Sequence, residues 1–171
     1  VCKFSPQNLA NMAWAFATAG ISAPALFEAT AAEAPEQICK FNPQSLSNMA
    51  WAFATAGISS SALFEAVAAE ARAQVRKSKP QELSNVAWAF ATAGISAPAL
   101  FEAIAAEARG EVRKATPQEL TNGAWVFATT GISAPALFDA IAAEARAQVR
   151  KFNPQDFANM AWAFATADIS A

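Results

Sequence analysis

Tryptophan recurs at positions 14, 51, 88, 125 and 162, a spacing of 37 residues each time. No other feature limits the fold of this chain so strongly. Pro-Gln dipeptides begin at 6, 43, 80, 117 and 154, and Gly-Ile-Ser segments at Gly20, Gly57, Gly94 and Gly131. Asp168 stands where a fifth glycine is due. Five copies aligned without insertion or deletion identify a tandem array, because independent domains seldom keep one rigid period.

Each unit reads as two helices. Ser5, Asn42, Thr116 and Asn153 are predicted N-caps, each followed by a proline at the first helical position, where its missing N–H leaves nothing unpaired. Lys79 is the one poor cap. This first helix runs through the tryptophan and stops at the glycine, which closes a helix in the left-handed conformation; Asp168 reaches that conformation at some cost. The second helix is predicted to start after Ser22, Ser59, Ser96 or Ser133, and in the third copy Leu100, Phe101, Ile104, Ala108 and Val112 share one arc of its wheel.

Neither helix buries its apolar stripe alone, so the expected fold is all-α, an α-solenoid of tandem 37-residue helix-turn-helix repeats. Nine helices are predicted: pairs over about 6–40, 43–77, 80–114 and 117–151, and an unpaired first helix over 154–167 that leaves Phe157, Ala161 and Phe164 uncovered. Pro35 falls inside a second helix and is expected to bend it. The sequence begins in the tail of one second helix and stops where another is due, as expected for a piece of a longer array.

Several chemistries are excluded early. There is no histidine, which removes the usual general base, the His-dependent nucleophile pairs and His-bearing zinc sites. No metal spacing, glycine-rich phosphate loop or nucleophile elbow is present. The expectation is a non-enzyme with no cofactor, no metal and no small-molecule substrate. Cys2 and Cys39 are repeat equivalents, and helices stacked about 8–10 Å apart hold their Cα atoms too far apart for a disulfide, so both are expected as free thiols. The stretch from Phe4 to Phe27 carries no charge, but Pro6, Gly20 and Pro24 and a turn interrupt it, so no membrane span is expected.

Charge is distributed unevenly. Lys and Arg total 12 and Asp and Glu 14, a net charge of −2, yet every basic residue lies at the end of a second helix or in the connection that follows. Lys3, Lys40, Arg72, Arg76, Lys77, Lys79, Arg109, Arg113, Lys114, Arg146, Arg150 and Lys151 make up this set, and the first helices contain none. Residues 72 onward form a candidate surface for RNA phosphate, adjoining the N-termini of the next first helices, whose free N–H groups favour anions. Complementarity to the helix dipole accounts for the same placement without a ligand. Cys2 and Cys39 replace the arginine of positions 76, 113 and 150, so the charge is richer toward the C-terminal copies.

On the first helix, Gln7, Asn11 and Thr18 fall opposite Leu9, Ala13 and Phe16, with Trp14 on the border of the polar stripe. The later copies repeat this as Gln44, Asn48 and Trp51; Gln81, Asn85 and Trp88; Gln118, Asn122 and Trp125; and Gln155, Asn159 and Trp162. Amides match base edges and indoles stack bases, so these are candidate base or peptide contacts. The same residues suit packing between units, the tryptophans against the next repeat and the asparagines bonded to the next helix. Two positions on this helix vary: Asn8, Ser45, Glu82, Glu119 and Asp156, and four residues on, Met12, Met49, Val86, Gly123 and Met160. Their variation suggests a ligand-facing role, against simple surface drift.

The unit Phe-Asn-Pro-Gln-x-Leu-x-Asn-x-Ala-Trp-Ala-Phe-Ala-Thr-Ala-Gly, fullest over residues 41–57, resembles the heptatricopeptide repeats and the related octotricopeptide repeats of algal and protist organelles. The resemblance covers the whole chain. It implies an α-solenoid that binds single-stranded RNA in a chloroplast or mitochondrion and acts in transcript maturation, stability or translation. The alternative it leaves open is a scaffold holding protein subunits of a large organellar assembly, or an extended peptide along the asparagine and tryptophan series.

Overall fold

In a computed structural model, described over residues 4–167, the chain is helical, with no strand among the described residues. The α-helices are α1 (Pro6–Thr18), α2 (Pro24–Glu33), α3 (Pro43–Thr55), α4 (Ser61–Gln74), α5 (Pro80–Thr92), α6 (Pro98–Glu111), α7 (Pro117–Thr130), α8 (Pro135–Ala147) and α9 (Pro154–Thr166). Short 3-10 segments follow each second helix, at Pro35–Lys40, Val75–Lys77, Val112–Lys114 and Val149–Lys151. Among the described residues, the expected all-α repeat with nine long helices is what forms. The chain divides into two compact units, Val1–Leu100 and Phe101–Ala171.

The helix starts follow the sequence closely. Ser5 accepts from the backbone N–H of Asn8 at 3.2 Å, Asn42 from Ser45 at 2.8 Å, Thr116 from Glu119 at 3.3 Å and Asn153 from Asp156 at 2.8 Å. Lys79 offers no acceptor on its side chain, and the helix compensates from within: the Glu82 carboxylate reaches back to the Lys79 backbone N–H at 2.7 Å. Second helices begin two residues after the serine in every copy, one later than the serines suggest, with proline at the first turn in three copies and Ser61 in the other. No side chain caps α2, α4 or α8.

The first helices end as glycine requires. Gly20, Gly57 and Gly94 have φ of 64°, 68° and 66°, and in each case the next isoleucine N–H returns to a phenylalanine carbonyl five residues back, as Ile58 does to Phe53 at 2.9 Å. Asp168, Cys2 and Lys3 lie outside the described residues; Cys39 is a free, exposed thiol. Pro35 does more than bend its helix. It ends α2 at Glu33, and the chain continues as a 3-10 segment in which Gln37 leaves helical geometry at φ −125°.

In the first unit α1 lies beside α3 and α3 beside α5, with α2 and α4 packed on the other side; in the second, α7 lies beside α9 and α8. Phenylalanines lock successive repeats together. Phe27 meets Phe53 and Phe64 meets Phe90, both edge-on with centroids 5.0 Å apart, and Phe138 meets Phe164 at 5.1 Å. Such pairs add about 0.5–1.5 kcal/mol each beyond the apolar area they bury. This corrects the expectation for α9: Phe164 is buried by the preceding second helix, while Phe157 remains 45% exposed and Ala161 exposed.

A second lock is polar. The Gln74 side-chain amide donates to the Phe41 carbonyl at 2.8 Å and to Glu70 at 2.6 Å, and Gln148 donates to Ala115 at 3.0 Å and Glu144 at 2.8 Å. Gln37 repeats the pattern more loosely, at 3.5 Å to Phe4 and 3.4 Å to Glu33. The third copy carries Glu111 in this place. A carboxylate has no proton to give a carbonyl, and Glu111 pairs instead with Lys114 at 3.0 Å.

Candidate nucleic-acid interface

The basic residues named from the sequence emerge where each second helix gives way to its 3-10 segment. Lys40, Arg72, Arg76, Lys77 and Lys79 in the first unit, and Arg109, Arg113, Lys114, Arg146, Arg150 and Lys151 in the second, are all exposed. Lys114 is the single member in an ion pair among the described residues. The other ten make no ion pair among the described residues, although the chain contains more acidic than basic residues. Helix-dipole complementarity explains why the cations sit at C-termini. It does not require them to be unpaired.

The polar stripe of the first helices is also uncommitted. Gln7, Gln44, Gln81, Gln118 and Gln155 are exposed; Asn11, Asn122 and Asn159 are exposed, and Asn48 and Asn85 half-buried. None of these ten amide side chains makes a hydrogen bond within the described chain. The bracing role open to the asparagines is therefore not the one they perform: the glutamines at 37, 74 and 148, and the Thr121 hydroxyl toward the Asp156 carbonyl at 3.4 Å, supply the cross-repeat side-chain bonds among the described residues.

The tryptophans pack against one another between repeats and still keep part of their surface open. Trp14 and Trp51 have ring centroids 6.4 Å apart, Trp51 and Trp88 6.3 Å at an interplanar angle of 28°, and Trp125 and Trp162 6.5 Å at 29°. Each indole thus touches its neighbour in the adjacent repeat. Much of the ring surface is still open, with Trp14, Trp125 and Trp162 exposed by 44%, 42% and 48% and Trp51 and Trp88 half-buried. The outcome is an aromatic ladder within each unit, flanked by free amides.

The two variable positions have other uses in most copies. Met49, Val86 and Met160 are buried between first helices, and Ser45 is buried beneath its cap. Glu82 and Glu119 fold back on the helix start, Glu119 accepting from both the backbone N–H and the hydroxyl of Thr116 at 2.8 Å. Those two bonds hold the Glu119 carboxyl below the ordinary carboxylate range, the backbone donor contributing most. Asn8 is exposed, and Asp156, Met12 and Gly123 half-buried.

Among the described residues no group of carboxylate or cysteine side chains converges as a metal site would need, and no helix is long and apolar enough to cross a membrane. Against known families, residues 1–170 match RESC6, the RNA-editing substrate-binding complex 6 protein. The chain belongs to this family. No curated protein matches it.

Membership of RESC6 corrects the heptatricopeptide and octotricopeptide assignment while leaving the repeat architecture as read. The physical reason is plain in the motif. Asn-Pro-Gln starts a helix, Ala-Gly stops one, and the alternating alanines and phenylalanines let two helices approach. These residues serve helix starts, stops and close packing in any helix-pair solenoid, so they specify the architecture more sharply than the family. This RESC6 chain pairs an unneutralised basic end with an amide and indole face.

Proposed function

We propose that this RESC6-family chain binds single-stranded RNA, without catalysis, as part of organellar RNA metabolism. The observation that carries the reading is the set of ten exposed, unpaired cations gathered at one end of the helix pairs. A strand of phosphates supplies the neutralising charge that the chain withholds, and the adjoining first-helix N-termini favour the same anions. Free amides and open indole surface on the first helices then supply contacts to bases. The family name, with its RNA-editing substrate, supports an RNA partner; the chloroplast half of the expected location draws no support from it.

The experiment is a salt titration of affinity for fluorescent single-stranded RNA. Engaging four to six phosphates gives a slope of about −3 to −4 in log affinity against log salt, at about −0.7 per phosphate. Replacing Arg76, Lys77, Arg113, Lys114, Arg150 and Lys151 by Gln flattens that slope and weakens all sequences alike. Folded protein with no salt-dependent affinity for any single-stranded RNA pool overturns the reading. The family is that of a complex component, and the chain would then act as a protein-binding scaffold in a larger assembly.

A further inference from the structure

Four outward positions of the first helices are the same in every copy. Glutamine, asparagine, tryptophan and threonine occupy fixed places, as in Gln44, Asn48, Trp51 and Thr55, then Gln81, Asn85, Trp88 and Thr92. A repeat protein that reads a mixed sequence must vary the side chains that meet the bases, since one base per repeat is distinguished by the few groups each repeat presents. Here the variation lies elsewhere. Met49, Val86 and Met160 are core, Ser45 is buried, and Glu82 and Glu119 are turned back onto helix starts, which leaves Asn8, Met12, Gly123 and Asp156 as the varying residues still partly open.

We infer that the face is a uniform reader, selecting a run of one repeated nucleotide in single-stranded RNA over strands of mixed sequence. The inference rests on the RNA reading above and names the substrate class for the same face. Four observations carry it: the identity of the displayed side chains, the absence of any hydrogen bond holding the ten amides, the half-open indoles, and their regular pitch. Within each unit, successive indoles stand 6.3–6.5 Å apart, close to twice the roughly 3.4 Å rise of a stacked strand. A strand advancing one nucleotide per repeat is therefore extended, with its bases unstacked and their edges available to amides. Each amide offers a donor beside an acceptor, and the same pair is offered at the same height in each repeat. Whichever base suits one repeat suits its neighbours.

The acidic groups nearest this face agree with an extended strand held through its bases. Glu82 and Glu119 follow Gln81 and Gln118 directly, but their carboxylates are engaged with the backbone N–H groups of Lys79 and Thr116; Asp156, after Gln155, is the one copy whose carboxylate is not so engaged. No cation lies on the first helices, so phosphate contacts fall to the basic ends and base contacts to this face.

The test compares four labelled homopolymeric RNAs with mixed-sequence RNAs of equal length and their circular permutations, by fluorescence anisotropy at fixed salt. One homopolymer is expected to bind at least about tenfold more tightly than every mixed strand, with permutations of one mixed strand equal to each other. Gln44→Ala with Gln81→Ala, at exposed positions, should bring the favoured homopolymer toward mixed-strand affinity and leave the salt slope unchanged. Asn48→Ala with Asn85→Ala should do the same, once circular dichroism shows native helix content. Equal, salt-dependent affinity for all RNAs overturns the inference and leaves the RNA reading intact. A mixed strand that outbinds all four homopolymers also overturns it. Loss of all RNA binding, with saturable binding of an extended peptide, gives the ladder to a peptide backbone and overturns both.

Discussion

Replacing Gln74 by Glu tests the cross-repeat lock with a change of one atom pair. The wild-type amide donates to the Phe41 carbonyl at 2.8 Å and to Glu70 at 2.6 Å, and both bonds need the N–H₂ group. Gln74→Glu removes the donor, leaves the carbonyl unsatisfied and sets two carboxylates one helical turn apart. Loss of the bond costs about 1 kcal/mol, the stranded carbonyl about another, and like charges at i, i+4 roughly 0.5. A total near 2–3 kcal/mol lowers Tm by about 5–10 °C in a chain of this size. Gln74→Ala, which loses the bond and strands the same carbonyl without adding charge, should lose roughly 0.5 kcal/mol less. The new carboxyl is disfavoured as an anion in the folded state, so its folded pKa lies above its unfolded one. Its penalty is therefore full above the carboxylate range and fades as pH falls through it, where a protonated acid can donate again. Differential scanning calorimetry at neutral and acid pH reads all of this. If Gln74→Glu melts within about 1 °C of wild type, or melts no lower than Gln74→Ala at neutral pH, the glutamine is not a lock.

Gly57→Ala should destabilise the chain by about 1–2 kcal/mol in urea unfolding, because φ of +68° burdens any side chain there. Gly110→Ala and Gly123→Ala should instead stabilise it by about 0.5–1 kcal/mol each, being helical glycines with open space at the missing Cβ. Thr116→Ala should raise the Glu119 pKa toward its ordinary value, seen by NMR titration, and cost about 1 kcal/mol of cap stability. Because the folded pKa is depressed, Glu119's contribution is present above the ordinary carboxylate range and disappears as pH falls through the folded value; the mutant should show a flatter acid limb.

The parts of this molecule legible in its sequence are those decided within one helix pair. Asn42 caps its own helix, Gly57 ends it, and the exposed side of α3 follows from counting residues around a wheel. What stayed hidden depends on the neighbouring repeat. Phe164 looks uncovered from its own unit, yet Phe138 lies across it, and the distance between adjacent tryptophans is set by how closely the alanine-rich helices approach. Gln74 carried a readable signal, a glutamine four residues after a glutamate in three of four copies, but its decisive partner is a carbonyl 33 residues away. The variation at Glu82 misled for a simpler reason: the lysine at position 79 cannot cap a helix, so the carboxylate was needed at home.

The spacing of the indoles also has an optical consequence. With no tyrosine in the chain, near-ultraviolet emission excited above the phenylalanine band comes from the tryptophans alone. Rings 6.3–6.5 Å apart share excitation instead of absorbing as isolated chromophores. Their coupled transitions should give a paired positive and negative lobe in the circular dichroism spectrum, and energy should migrate along the three rings of the first unit before it is emitted. A quencher that reaches Trp14 then dims Trp51 and Trp88 as well. The array carries an intrinsic antenna, and a change in its geometry will register in polarised light without any attached dye.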